Sequence, residues 1–391
     1  MDSKIIPYSN LINFAGLVLV IGVTFVLMIF GKPIILPIVI ALVITFLIIA
    51  ISEQFQRISI FGYKFPGWLA QTISILLIVW GFRTLFRRSS ETVRQLIQER
   101  EMVTNNINHL LNSAPAPLLS FLPREALVNG TTYDAGVLFS MGLDLLTDFS
   151  RVFLGQAASV AGQSLVILVY VIFMLVEQRT FVEKIGQMYS DPQSNETVQR
   201  VLKSIGEMVK TYFTVKTLVS LFVGGASYIV MLAFSLDNAF LWAIIIFVLN
   251  FIPYLGSVTA VVFPVVFSLV QFGDWTIFLA LTIILYAIQI ISGSFIEPTL
   301  AGRSLNISPL VVFASLTTFG TIWGVPGMIL SVPIVIIMTI SFSHFETTRP
   351  IAILLSGRGR LATVEPEVMV RRKNPPAAIR MEEKHSTSSA D

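Results

Sequence analysis

The stretch AFLWAIIIFVLNFIPYLGSVTAVVFPVVFSLVQ at residues 239–271 decides the fold. It is apolar over 33 residues, which would measure about 50 Å as one straight helix. The hydrocarbon core of a bilayer is only about 30 Å thick. A break is therefore needed, and Pro253 and Gly256 lie near the middle of the stretch. Proline removes a backbone donor and glycine permits a tight turn, so the pattern predicts a helical hairpin or a broken helix.

A second apolar run, residues 307–343, repeats this arrangement over 37 residues. Its breakers are Gly324, Pro326 and Gly327. Two apolar segments interrupted by proline and glycine are the best sequence pointer to the binding region of a transporter. The alternative is that both runs are kinked helices with packing glycines. The excess length favours hairpins, because a kink does not shorten a helix enough.

The composition indicates an all-α polytopic membrane protein. The chain of 391 residues is 54% hydrophobic and only 13% charged, whereas soluble domains are about 25% charged. A spanning helix needs about 20 apolar residues. Six further runs have this length: Leu11–Phe30, Ile34–Ile51, Trp68–Phe86, Gln156–Val176, Tyr212–Phe234 and Trp275–Ile296. With the two interrupted runs they give about eight transmembrane segments, and the first run should remain in the mature protein.

The runs divide the chain into four parts. Residues 1–86 hold the first three spans, and 87–155 form an extramembranous helix pair, predicted at 87–111 and 131–153. Residues 156–343 form the transport core. Residues 344–391 form a basic, largely disordered cytoplasmic tail, since their composition cannot build a core.

Basic residues set the expected orientation. The segment 178–211 holds five Lys and Arg residues, whereas the short turn 235–238 has none. By the positive-inside rule both termini are cytoplasmic. The basic tail could bind nucleic acid or anionic lipid, but a topology signal is the simpler interpretation, and no nucleic-acid partner is expected.

Several chemistries are excluded by what the sequence lacks. It contains no cysteine, so disulfides and thiolate-held metals are ruled out. No phosphate-binding loop or nucleophile elbow occurs. Its three histidines have no carboxylate at ligand spacing on a predicted helix. We therefore expect no enzyme, no metal and no cofactor.

Polar residues at membrane depth are functional candidates by default. The candidates for solute binding or coupling are Asn250, Gln289, Glu297, Arg303 and Thr317. Such a set of donors and acceptors suits a small neutral polar solute, although each Ser or Thr nearby can equally bond between helices.

Glu297 precedes Pro298 and has Arg303 six residues on as a possible ion-pair partner. Lys216 is expected to extend to the membrane interface.

These motifs carry a resemblance. NFIPYLGSV at 250–258, IEPTLAGRSLNISP at 296–309 and GTIWGVPGMILSVP at 320–333 resemble, in this order, the autoinducer-2 exporter family of bacterial membrane proteins. Pro298 and Gly302 fall on the family's Pro-x-x-x-Gly connector. The resemblance implies an inner-membrane transporter with eight spans, working as a homo-oligomer, namely a pentamer. Since cation/proton antiporters also occur in the family, it does not fix the substrate.

Three functions remain open. The leading hypothesis is export of a small polar solute, the quorum-sensing signal autoinducer-2 or a relative, without ATP hydrolysis. The second is a sodium or lithium/proton antiporter with Glu297 as the titrating group. The third is a membrane scaffold that transports nothing. The paired breaks favour transport, and a single carboxylate near the core weighs against the antiporter.

Overall fold

The computed structural model describes residues 16, 19, 22–57, 59–60, 63–64, 66–98, 100–113, 126–128, 132–138, 140–141, 144, 162–177, 180–188, 192–301, 306–344 and 348–357. Helices dominate this part of the chain. The helices are α1 (22–30), α2 (Lys32–Arg57), α3 (Gly67–Gln98), α4 (Arg100–Ser113), α5 (Ser164–Glu177), α6 (Thr180–Gln187), α7 (Pro192–Ala233), α8 (Ala239–Leu249), α9 (Leu255–Phe272), α10 (Trp275–Ile291), α11 (Glu297–Ala301), α12 (Pro309–Trp323), α13 (Val325–Ser343) and α14 (Arg349–Leu355). A π-helix, Ser292–Ile296, joins α10 to α11.

Two antiparallel two-stranded hairpins are the β-structure of the described residues. The first pairs β1 (Ser59–Ile60) with β2 (Tyr63–Lys64), and the second pairs β3 (Leu127–Val128) with β4 (Thr132–Tyr133). Five helical segments are long and apolar enough to cross a membrane: Lys32–Gln56, Asn195–Ala233, Leu255–Phe272, Trp275–Ala301 and Val325–Ser343. Shorter apolar helices accompany them. The prediction of an all-α polytopic membrane protein is confirmed.

Both long apolar runs are helical hairpins. The first, α8 and α9, turns at residues 250–254, and the second, α12 and α13, turns at Gly324. A Cβ at Gly256 would overlap the carbonyl oxygen of Leu249, and one at Gly327 would overlap that of Phe319. Gly324 has a φ of 72°, which glycine adopts without strain. The predicted breakers therefore let the two arms of each hairpin meet.

The two hairpins open near opposite ends of the same helix. The continuous helical segment Trp275–Ala301 starts three residues after the first hairpin and ends shortly before the second. Its 27 residues measure about 40 Å. The open end of each hairpin is therefore close to a different end of this segment.

Helix α7 is the centre of the packing. Its 42 residues measure about 63 Å, and it extends the predicted span at 212–234 by 20 residues on the N-terminal side, since it begins at Pro192. It contacts α2, α8, α10, α11 and α13. Phe213 and Met231 on α7 are fully buried, as are Leu281 and Leu285 on α10. The apolar core thus lies between α7 and the hairpins.

The segment after the third span differs from the predicted helix pair. The third span and the first predicted helix form one helix, α3, as far as Gln98, and α4 follows it. The second predicted helix does not begin at 131, because residues 132–133 form β4. Helical structure begins at 135, where the Asp134 carboxylate accepts a hydrogen bond from the backbone N–H of Gly136 at 2.6 Å. This is a typical helix cap.

The first part of the predicted tail contains a helix. Helix α14 packs on α13, and Ser308 donates its backbone N–H to the carbonyl of Leu355 at 3.0 Å. Residues 358–391 lie outside the described part of the chain. The division of the chain into four parts, drawn from the sequence, remains a prediction.

Candidate functional site

A row of polar side chains lies on one face of α7. Tyr212, Lys216 and Ser220 follow one another at intervals of four residues, so they stack along the helix. All three are buried among apolar side chains. Polar groups are costly in such surroundings unless they find partners. The partners of this row therefore indicate what the interior of the protein can hold.

Lys216 forms an ion pair with Glu297. Its Nζ lies 2.6 Å from Oε1 of Glu297, and the two side chains are 8% and 31% exposed. The pair joins the middle of α7 to the first residue of α11. Lys216 thus does not extend to the membrane interface as predicted, because the carboxylate offsets the cost of burying its charge. Arg303 and Gly302 lie outside the described residues.

Two more buried polar residues lie at the start of the π-helix and just before it. The backbone N–H of Glu297 donates to the carbonyl of Ser292, five residues earlier. Gln289, near the end of α10, and Ser292, the first residue of the π-helix, are 6% and 2% exposed. The side-chain nitrogen of Gln289 and the hydroxyl of Ser292 are buried without a hydrogen-bond partner among the described residues. π-Helical turns are rare in proteins, and those that occur are often found at functional sites.

Asn250 ties the tip of the first hairpin to the same row. It ends α8, is buried, and donates from Nδ2 to the hydroxyl of Ser220 at 3.0 Å. Ser220 is one helical turn from Lys216. The structure therefore joins Asn250 and Glu297 to neighbouring turns of α7, although 46 residues of sequence separate them.

Thr317 does not belong to this cluster. It is exposed, and its hydroxyl donates to the carbonyl of Phe313 on the same helix at 3.0 Å. Thr321 likewise bonds the carbonyl of Thr317 at 2.8 Å. Both hydroxyls satisfy themselves within α12, which is the common behaviour of Ser and Thr in membrane helices.

The remaining hinge residues lie at turns and helix starts. Pro253 lies in the first tip, Pro326 follows Gly324 at the start of α13, and Pro298 is the second residue of α11. Proline suits the first turn of a helix, where its missing N–H has no intrahelical partner in any case.

The cluster can form hydrogen bonds and contains one ion pair. Within the described ranges, no group of three or more His, Cys, Asp or Glu side chains is placed to hold a metal ion. The carboxylate of Glu297 is already paired with Lys216. What the site offers is a set of neutral donors and acceptors around a compensated ion pair.

Two features of this site escaped the sequence analysis. Tyr212 was not singled out, because an aromatic residue at the end of an apolar run resembles an ordinary interface residue. The π-helix leaves no period of its own in the sequence. Its weak signal is the run Ser292-Gly293-Ser294, which contains poor helix formers within a span.

The chain is similar in sequence to several proteins that are named as transport proteins. The chain is 29% identical over 330 residues to the AI-2 transport protein TqsA of Escherichia coli, covering 84% of this chain and 90% of that protein. It is 26% identical over 361 residues to a putative transport protein of Haemophilus influenzae, covering 91% and 98%. It is 30% identical over 273 residues to the putative transport protein YhhT of Escherichia coli, covering 70% of each.

The family match extends over most of the chain. Residues 17–347 match the family described as AI-2E family transporter. This range includes both hairpins, the π-helix and the ion pair. The chain belongs to the AI-2E family of membrane transporters.

Proposed function

We propose that the protein exports a small neutral polar solute, autoinducer-2 or a relative, without ATP hydrolysis. The observation that carries this proposal is the buried polar row of α7 with the Lys216–Glu297 pair, together with the unpartnered polar atoms of Gln289 and Ser292 on the helical segment that packs against α7. Unmade hydrogen bonds in an apolar interior cost about 1–3 kcal/mol each. A polar solute that passes along the row would supply the missing partners. The name of TqsA as an AI-2 transport protein supports the choice of solute.

Charge balance favours a neutral solute over a cation. The negative charge of Glu297 is compensated by Lys216 at 2.6 Å, so the pair has no net charge to attract an ion. A sodium/proton antiporter would need Glu297 to release Lys216 and exchange a proton in each cycle. A scaffold without transport would have no use for buried polar atoms that bond nothing.

The setting of the transporter is part of the proposal. It lies in the inner membrane with both termini in the cytoplasm, as the basic segment 178–211 supports. It assembles as a homo-oligomer, a pentamer by its resemblance to the family. Single cysteines at Ser194 and Ser120 test the orientation cleanly, because the native chain has no cysteine. An impermeant reagent added outside should label position 120 and spare position 194.

Flux of labelled autoinducer-2 in proteoliposomes tests the function. Gln289→Met keeps the length of the side chain and removes its hydrogen bonds, so it should reduce flux about tenfold, equivalent to about 1.4 kcal/mol. Gln199→Met, on the exposed surface of α7, is the matched control and should transport normally. If Gln289→Met transports at the wild-type rate, the polar row is not the path of the solute.

The ion pair separates the two transport hypotheses. On the neutral-solute proposal, Glu297→Gln and Lys216→Met should destabilise the protein to a similar extent, since each leaves its partner unpaired. The exchanged variant Lys216→Glu/Glu297→Lys should recover part of that stability. On the antiporter hypothesis, Glu297→Gln instead assembles normally and loses proton-coupled sodium flux. That result, together with sodium-dependent flux by the wild type, would overturn the proposal.

A further inference from the structure

Tyr212 is a buried residue whose hydroxyl has no partner. The residue is 2% exposed. Its ring packs edge-on against Phe213, with centroids 5.4 Å apart, and Phe213 in turn stacks on Phe46. The hydroxyl oxygen is buried and makes no hydrogen bond within the part of the chain that the structure describes. Phenylalanine would fill the same aromatic pocket without the cost of burying that hydroxyl.

Tyr212 belongs to the polar row of α7. It lies one turn before Lys216 on the same face of the helix. Lys216 in turn binds the Glu297 carboxylate. A buried tyrosine hydroxyl usually finds a partner, and here the described side chains do not supply one.

Three unpartnered groups lie on helical segments that pack against one another. Tyr212 lies on α7, whereas Gln289 and Ser292 lie on α10 and the π-helix, both of which contact α7. A phenol, a carboxamide nitrogen and a hydroxyl can all donate hydrogen bonds. Each is more than nine-tenths buried. Oxygen atoms of a solute moving along these helices are acceptors that each of the three groups could bind.

We propose that Tyr212 contacts the transported solute and selects for neutral solutes rich in hydroxyl or carbonyl oxygens. This inference rests on the proposed function and adds a specificity-determining residue to it. The phenol donates to a solute oxygen, while the Lys216–Glu297 pair supplies compensated charge beside it. Solutes without an acceptor at this position leave the phenol unpaired and are disfavoured, because an unmatched buried polar group rejects an analogue that lacks its partner.

Tyr212→Phe tests the inference, because it removes the hydroxyl and keeps the ring. We expect KM for labelled autoinducer-2 in proteoliposomes to rise about tenfold, which corresponds to about 1.4 kcal/mol. The unfolding temperature in detergent should stay the same or increase, since an unpaired buried hydroxyl is lost. A residue with a purely structural role would show the reverse, with lower stability and an unchanged KM. Tyr228→Phe on the same helix is the matched control and should change neither quantity.

A second measurement does not depend on transport. Autoinducer-2 should raise the unfolding temperature of the wild type and of Tyr228→Phe, and have a much smaller effect on Tyr212→Phe at the same concentration. Normal KM and a normal thermal shift in Tyr212→Phe would overturn the inference and leave the proposed function intact. A wild type that neither transports autoinducer-2 nor is stabilised by it would overturn both.

Discussion

The two helical hairpins share one backbone feature, a glycine packed against a carbonyl, and differ in the contacts of their side chains. In both, a glycine near the start of the second arm lies against a carbonyl of the first arm: Gly256 against Leu249 and Gly327 against Phe319. The first hairpin turns over five residues and brings Asn250 to Ser220 in the polar row. The second turns at a single glycine, and the hydroxyls of Ser315, Thr317 and Thr321 in its first arm bond their own helix.

The outer contacts of the hairpins differ as well. The open end of the first is bound by side chains, since the amide of Asn106 on α4 donates to the carbonyls of Val270 and Gln271, each at 3.0 Å. The open end of the second is bound through the backbone, with Gly357 donating to the carbonyl of Asn306 at 3.2 Å. Glycine therefore fixes the shape of both hairpins, and polar side chains connect the first one to the site.

The largest effect is expected where the hairpins are alike. Gly256→Ala and Gly327→Ala should each destabilise the protein by about 3 kcal/mol or more, because the new methyl group would overlap a backbone carbonyl that cannot move aside. Thermal unfolding and recovery of assembled protein in detergent measure the loss. Gly225→Ala, which has no atom within 4 Å of its Cβ position, should be tolerated. If alanine at either position leaves the stability unchanged, that hairpin does not depend on the close approach of glycine to the carbonyl.

The next effect separates the two hairpins. Asn250→Leu should lower solute flux about tenfold, equivalent to about 1.4 kcal/mol, because it releases the first tip from Ser220 and removes a polar group from the row. Thr317→Val on the second hairpin should leave flux within about twofold, since its hydroxyl bonds only Phe313. Initial rates of solute flux in proteoliposomes, normalised to the amount of inserted protein, measure both effects. Equal losses from both changes would mean that the second hairpin also lines the path.

A smaller effect is expected at the open end of the first hairpin. Asn106→Ala removes two hydrogen bonds from α4 to the end of α9 and should cost about 1 kcal/mol. Backbone amides at 270–275 should exchange hydrogen faster, while those of the second hairpin keep their rates. Asn108→Ala, an exposed position on the same helix, is the control. Faster exchange in that control as well would assign the effect to helix propensity and not to the contact.

The overall fold could be predicted because the lengths of the two apolar runs were decisive. Apolar runs of 33 and 37 residues exceed what a bilayer accommodates, and the breakers near their middles fix where each run turns. The predicted first run ends at Gln271, and α9 ends at Phe272. Periodicity was a poorer guide in the region after the third span, where a short β-hairpin interrupts the expected helix.

The site was predicted less well because its contacts are distant in sequence. Arg303 is six residues from Glu297 and was the natural partner to expect, whereas Lys216 is 81 residues away. Only the packing of α7 against α11 brings Lys216 within 2.6 Å. The position of Thr317 outside the cluster has a different cause. Core-facing and outward-facing positions of a membrane helix are both apolar, so the sequence pattern does not reveal which face carries the hydroxyl.

The smallest expected effect is a pH dependence of the helix cap next to the open end of the first hairpin. Asp274 caps α10 just after this hairpin, and its carboxylate accepts a hydrogen bond from the backbone N–H of Thr276 at 2.6 Å. That bond chiefly holds the pKa of Asp274 below its ordinary value, with smaller contributions from the Thr276 side chain and from the nearby charge of His109. Ser308, which precedes α12 of the second hairpin, makes no side-chain cap.

The sign of the pH effect follows from the lowered pKa of Asp274 in the folded state. The cap contributes fully above the unfolded-state pKa of about 3.9, and its contribution is lost as the pH falls through the lower folded-state value. Below about pH 4, amides at 274–278 should lose protection, after correction for intrinsic exchange, while those at 308–312 should not. Asp274→Asn still caps the helix but cannot titrate, so it should abolish the difference. Equal loss of protection at both sites in the wild type would show that acid acts on the whole fold, and that the two open ends do not differ in the way the contacts indicate.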